Sequence, residues 1–149
     1  MKRLLFAGLF AVSIALLGLL PCAATAEPGP WTVPSELFPL APGETGPSVE
    51  AGPDGSITAV WMRGTSSGPG TILSATRDPS GMFGPPVKIG TGNTSLYSPA
   101  VVTGTDGTTA VVWSDYDFPR TAIKAVVRPP GGSFGPPETL VEVESPGGS

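Results

Sequence analysis

The chain repeats itself. "PSVEAGPDGSITAVW" at 47–61 aligns with "PAVVTGTDGTTAVVW" at 99–113 at an offset of 52 residues, and "ILSATRDPSGMFGPP" at 72–86 aligns with "IKAVVRPPGGSFGPP" at 123–137 at an offset of 51. The one-residue difference falls between Trp61 and Ile72, where a loop absorbs it. The paired landmarks are Pro47 and Pro99, Asp54-Gly55 and Asp106-Gly107, Trp61 and Trp113, Arg77 and Arg128, and Phe83 and Phe134. A further fragment, "WTVPSEL" at 31–37, stands 52 residues before "FGPPVKI" at 83–89. A repeat of this length is a supersecondary unit that buries its apolar surface only against a neighbouring copy.

Within each unit the residue pattern is that of strands. Four segments are expected in the first, at about 31–37, 47–51, 57–63 and 71–77, and four in the second, at about 84–90, 99–103, 108–114 and 122–128. Asp-Gly between the second and third segments closes a tight antiparallel hairpin, because that dipeptide tolerates positive φ. The run Ala110-Val111-Val112-Trp113 is apolar on both faces and calls for a packed layer on each side. Ile123, Ala125 and Val127 alternate with Lys124, Val126 and Arg128, as in a half-exposed strand. Pro85 and Pro86 belong at a strand start, since proline cannot donate to a ladder.

This arithmetic predicts an all-β fold of two four-stranded antiparallel propeller-like blades. The units run from 31 to 82 and from 83 to 133, and residues 134–149 open a third with a strand at 134–143. In this phasing F-G-P-P is the join between blades, its phenylalanine packed in the crevice between sheets. A third opening strand would be surplus in a closed ring of two-unit protomers, and so favours an array cut short.

The combination of "DGTTAVVW" (106–113), "IKAVVR" (123–128) and "GSFGPP" (132–137), with its first-unit counterparts, resembles the blades of secreted sialidase-like β-propeller repeat proteins of high-GC bacteria. The resemblance spans nearly all of the chain after residue 26. It implies the repeat architecture and no particular ligand. Asp54-Gly55 and Asp106-Gly107 are adjacent pairs, unlike the Asp-x-Gly of sialidase Asp-boxes.

Ahead of the repeats, Lys2 and Arg3 precede an uncharged apolar stretch from Leu4 to Leu20, then Pro21 and the small-residue site Ala24-Thr25-Ala26. This is the layout of a secretory signal peptide (residues 1–26) cleaved after Ala26, which places residues 27–149 outside the cytoplasm. Cys22, the chain's one cysteine, offers a lesser alternative as a lipoprotein anchor, although Pro21 stands where such signals carry a small residue. Cleavage after Ala26 leaves a chain without cysteine, which relies on packing rather than disulfides.

Composition then excludes chemistries. Removing Lys2 and Arg3 from the chain's eight basic residues leaves six against twelve acidic, a net charge of −6. The six form no run, so a nucleic-acid partner is not expected. There is no histidine, which removes Ser-His-Asp and Cys-His catalysis and histidine-ligated zinc. No phosphate-binding glycine loop occurs. We expect no cofactor and no bound metal.

Candidate binding residues are few. Asp115, Tyr116 and Asp117, in "SDYDFPR", replace the Gly/Ser-rich "RGTSSGPG" of the first unit. Two carboxylates beside a tyrosine on a loop suit a sugar hydroxyl or calcium, and loops carry function in repeat scaffolds. Trp61 and Trp113 read either as sugar-stacking platforms or, given their apolar neighbours, as core. Arg77 and Arg128 read as an anion-binding pair or as solvated strand-end caps. The expected function is a non-catalytic exported module that binds a carbohydrate or a cell-envelope component, or serves as a scaffold. It would self-associate through open blade faces and be free of the membrane after cleavage. The alternatives are a fragment of a sialidase-like glycoside hydrolase, which would need two carboxyls across one bond, and a two-blade lectin assembling into a ring.

Overall fold

A computed structural model describes residues 36, 38, 39, 41–64 and 68–144, all within the compact unit Ser35–Ser149. The signal segment 1–26, with Ala26 and Cys22, lies outside the described residues. So does the strand expected at 31–37, except Glu36, which is in no regular element.

Eight strands occur among the described residues: β1 (Glu44–Ala51), β2 (Ile57–Gly64), β3 (Gly70–Arg77), β4 (Val87–Gly92), β5 (Ser95–Thr103), β6 (Thr109–Asp117), β7 (Arg120–Arg128) and β8 (Glu138–Glu144). They form two four-stranded antiparallel meanders, β1-β2-β3-β4 and β5-β6-β7-β8, with no helix among the described residues. The sheets are not closed into a ring.

The phase of the repeat differs from the sequence expectation. The strand after F-G-P-P is the fourth strand of its own sheet, not the first of the next. β4 pairs with β3 and β8 with β7. No third unit opens at 134, and 138–144 completes the second sheet. The cause is a reversal just before the motif. Gly81 N–H donates to Asp78 C=O in "DPSG", and Gly132 N–H donates to Pro129 C=O in "PPGG". Gly81 and Gly131 adopt positive φ there, a conformation glycine takes at little cost. The chain then runs back along the strand it has left: Gly84 N–H donates to Thr76 C=O, and Gly135 N–H to Val127 C=O. F-G-P-P is therefore a join within a sheet. The link between sheets is the short turn at Asn93-Thr94.

Asp54-Gly55 and Asp106-Gly107 lie between β1 and β2 and between β5 and β6, as the repeat predicts. Each belongs to a five-residue loop rather than a two-residue hairpin, and only the glycine has positive φ. Asp54 and Asp106 accept the N–H two residues on, from Ser56 and Thr108. Pro47 and Pro99 sit at register shifts in β1 and β5, where a residue without N–H does least harm to the ladder.

The sheets pack face to face. Val60, Ile72 and Ile89 of the first meet Leu96, Val111, Trp113 and Val126 of the second, with Met62, Val101 and Phe134 at the margin. Trp113 is 2% exposed. Trp61, its repeat partner, points to the opposite face of the first sheet and is half-buried.

Candidate functional site

The three residues singled out from sequence lie on β6, not on a loop. Successive strand side chains point to opposite faces, so Asp115 and Tyr116 diverge. Asp115 faces the first sheet and is buried, and Lys124 Nζ donates to its Oδ2 at 2.5 Å. Its Oδ1 has no hydrogen-bond partner among the described residues. Tyr116 stands on the free face, 6.5 Å from Phe118 between ring centroids, and its carbonyl accepts the Thr94 hydroxyl. Asp117 is exposed at the strand end. The three do not share a surface. No cluster of three or more His, Cys, Asp or Glu side chains suited to a metal occurs among the described residues.

Around Trp61 the geometry is that of a partly filled core. Phe38 stacks on the indole at 5.8 Å and 19°, and meets Phe83 edge-on at 6.1 Å. The stacking surface a sugar would need is thus shared with Phe38. Beside it a cavity of about 310 Å³ is lined by Glu36, Phe38, Glu44, Pro47, Ala59 and Trp61. Glu44 at its rim accepts Arg63 Nε at 2.8 Å and Nη2 at 2.5 Å, and the Ala41 N–H at 3.2 Å. Burial pushes the Glu44 carboxyl up, but the bonds from Arg63, Trp61 and Ala41 outweigh it, so its pKa lies below the ordinary glutamate value.

A second concavity, about 400 Å³, runs between the loop ends of the two sheets. Asp54 and Asp78 line the side of the first sheet, Asp106 and Gly131 that of the second, and Arg128 the space between. Arg128 Nη1 donates to Thr76 Oγ1 at 2.6 Å, and Nη2 donates to Thr58 Oγ1 at 2.9 Å and Thr109 Oγ1 at 3.1 Å. The Phe134 ring lies 5.1 Å from the guanidinium carbon, within cation–π range. Burial lowers the Arg128 pKa and the field of Asp54 opposes it; the group stays charged. Arg128 is thus neither a solvated cap nor half of an arginine pair. Arg77, its repeat partner, donates instead to Gly81 C=O at 3.2 Å.

The three carboxyls of this groove are held below the usual aspartate range. The causes are the Ser56 hydroxyl and N–H for Asp54, the Ser80 hydroxyl and Met82 N–H for Asp78, and the Thr108 N–H and hydroxyl for Asp106. Sequence reasoning missed Thr58, Thr76 and Thr109 as partners of Arg128. A signal was present: the second unit carries Ala110 and Val127 where the first has Thr58 and Thr76.

Comparison with protein-family models, curated proteins and solved structures found no match for this chain.

Proposed function

We propose that the chain is an exported, non-catalytic repeat module of the β-propeller type, acting as a binding or scaffold element outside the cytoplasm. One observation carries the reading: the charged side chains enclosed between the sheets are engaged with structural partners. Asp115 is held by Lys124, and Arg128 by threonines of both sheets. A glycosidase needs two carboxyls flanking one bond, about 5–10 Å apart. A buried, ion-paired Asp115 with Asp117 at the strand end does not supply that pair.

For a ligand, the reading favours a carbohydrate or another hydroxyl-rich envelope component at the groove between the Asp-Gly loops. Its lining presents ionised carboxylates as acceptors and Ser56, Thr103 and Thr105 as hydroxyl partners. Each carboxylate keeps lone pairs beyond those used in its turn. The test is calorimetric titration of the exported chain against cell-envelope glycans, beside an assay for glycoside turnover. Saturable binding that Asp54→Asn with Asp106→Asn weakens, without hydrolysis, is the expected result. Turnover lost on Asp115→Asn would overturn the proposal.

A further inference from the structure

Where the first sheet receives the second, glycines make the room. Gly64, Gly70 and Gly92 stand in one cross-strand row, and Leu96 of the second sheet fits against it. A Cβ on Gly70 would lie 3.0 Å from Leu96 Cδ1, and one on Gly92 2.5 Å from Cδ2. The register gives the equivalent row of the second sheet as Tyr116, Thr121 and Val143. Side chains fill the space that the leucine of a further sheet would need. This end of the second sheet's free face is therefore not a sheet-receiving surface like its counterpart. It presents rings instead.

Three aromatic side chains gather there. The Tyr116 and Phe118 rings lie 6.5 Å apart between centroids. Tyr97, on β5, is the cross-strand partner of Ser114, so it stands diagonal to Tyr116 on the same face. The repeat does not demand these rings: the first unit has Thr45 and Gly64 where the second has Tyr97 and Tyr116. Nor does the core, since Phe118 is 65% exposed and Tyr97 45%. The hydroxyls of Tyr97, Ser114 and Tyr116 have no hydrogen-bond partner among the described residues. The two rows contain no charged side chain, and Arg120 beside them is engaged with Glu142 and Glu144.

Exposed rings among free hydroxyls, without charge, suit a ligand that is apolar on its faces, hydroxylated at its edge and uncharged. Nucleic-acid bases also stack on aromatics, but their phosphates need cations. After residue 26 this chain has six basic residues against twelve acidic, and no basic run. The same charge repels an anionic bilayer. A flat β-1,4-linked pyranose chain fits on both counts. Its sugar rings offer C–H groups to the negative face of an aromatic ring, and its equatorial hydroxyls point outward to donors and acceptors. The geometry points to Tyr97, Tyr116 and Phe118 as a stacking platform for an uncharged β-1,4-linked pyranose chain, with the Tyr97 and Ser114 hydroxyls bonding to its edge. The platform shares a ligand class with the groove proposed above but no residue. The Asp-Gly loops lie at the opposite ends of β5 and β6.

Titration of the exported chain with cellohexaose and N-acetylchitohexaose tests it, with the α-1,4-linked maltohexaose as control. We expect saturable binding of at least one β-1,4-linked hexasaccharide and weaker binding of maltohexaose. Phe118→Ala and Tyr97→Ala should each raise the dissociation constant about fivefold or more, while Phe118→Trp retains binding. Both replaced side chains are exposed, and circular dichroism reports whether each variant folds. Asp54→Asn with Asp106→Asn should leave this binding unchanged, so the platform and the groove fail separately. Four results would each refute the platform: no binding of either β-1,4-linked sugar, equal binding of maltohexaose, binding indifferent to both alanine variants, or attachment to phosphatidylcholine vesicles that Phe118→Ala abolishes while neither sugar binds.

Discussion

Gly90 and Trp113 occupy one volume between the two sheets: the indole lies where a side chain at 90 would be. A large ring seated over a glycine lets two backbones approach closely, and neither residue can change without the other. Gly90→Val should therefore destabilise the chain by about 1–3 kcal/mol through overpacking, and Trp113→Ala by about 3–5 kcal/mol through the cavity left. Thermal melts followed by circular dichroism check both. Full stability in Gly90→Val would mean that the sheets do not meet as described.

Arg128 and Arg77 are equivalent in the repeat and unequal in structure. Arg128→Met removes bonds to three threonines, two of them across the interface, and leaves Thr58 and Thr76 without that donor, so a loss of about 1–3 kcal/mol is expected. Arg77→Met removes one bond to a carbonyl and should cost less than about 1 kcal/mol. Denaturant midpoints of the two variants, measured side by side, give the comparison; equal losses would deny Arg128 its bridging role.

Lys124 exists in this fold as the partner of a buried carboxylate. Lys124→Met leaves Asp115 charged and enclosed, at an expected cost of about 3–5 kcal/mol. The double variant Asp115→Leu with Lys124→Met should recover most of that loss, since an apolar pair of similar size needs no compensation. The double-mutant cycle is read from equilibrium unfolding, and additive losses would contradict the pairing.

Acid sensitivity follows from Glu44, Asp54, Asp78 and Asp106, whose folded-state pKa values all lie below their ordinary ones. A depressed carboxyl stabilises the fold above its unfolded pKa, and that contribution disappears as pH falls through the folded value. With no histidine in the chain, the melting temperature should be nearly flat from about pH 5 to 8 and fall below about pH 4. Asp78→Asn with Asp106→Asn should shrink the acid-side fall. A step near pH 6.5 would point to a group outside this set.

Much of this molecule was legible in its sequence because repeats and strand patterns are local signals. The offset of 51–52 residues, the apolar run through Trp113 and the Asp-Gly pairs identified an all-β chain of two similar sheets. The reversal before each F-G-P-P was also written locally, in "DPSG" and "PPGG", and its turn chemistry sets the phase of the sheet. Only the tertiary structure decided which copy of each pair is buried. Trp61 and Trp113 are the same residue in the same local sequence, yet one is closed in by Gly90 and the other stacks on Phe38. Asp115 looked like a loop ligand because composition does not reveal that β6 continues through it, nor that Lys124 stands beside it on β7. Burial, and with it the choice between a binding group and a structural one, depends on what the opposite sheet presents, and that is set by residues 20 to 70 positions away in the chain, as in the bond from Arg128 to Thr58.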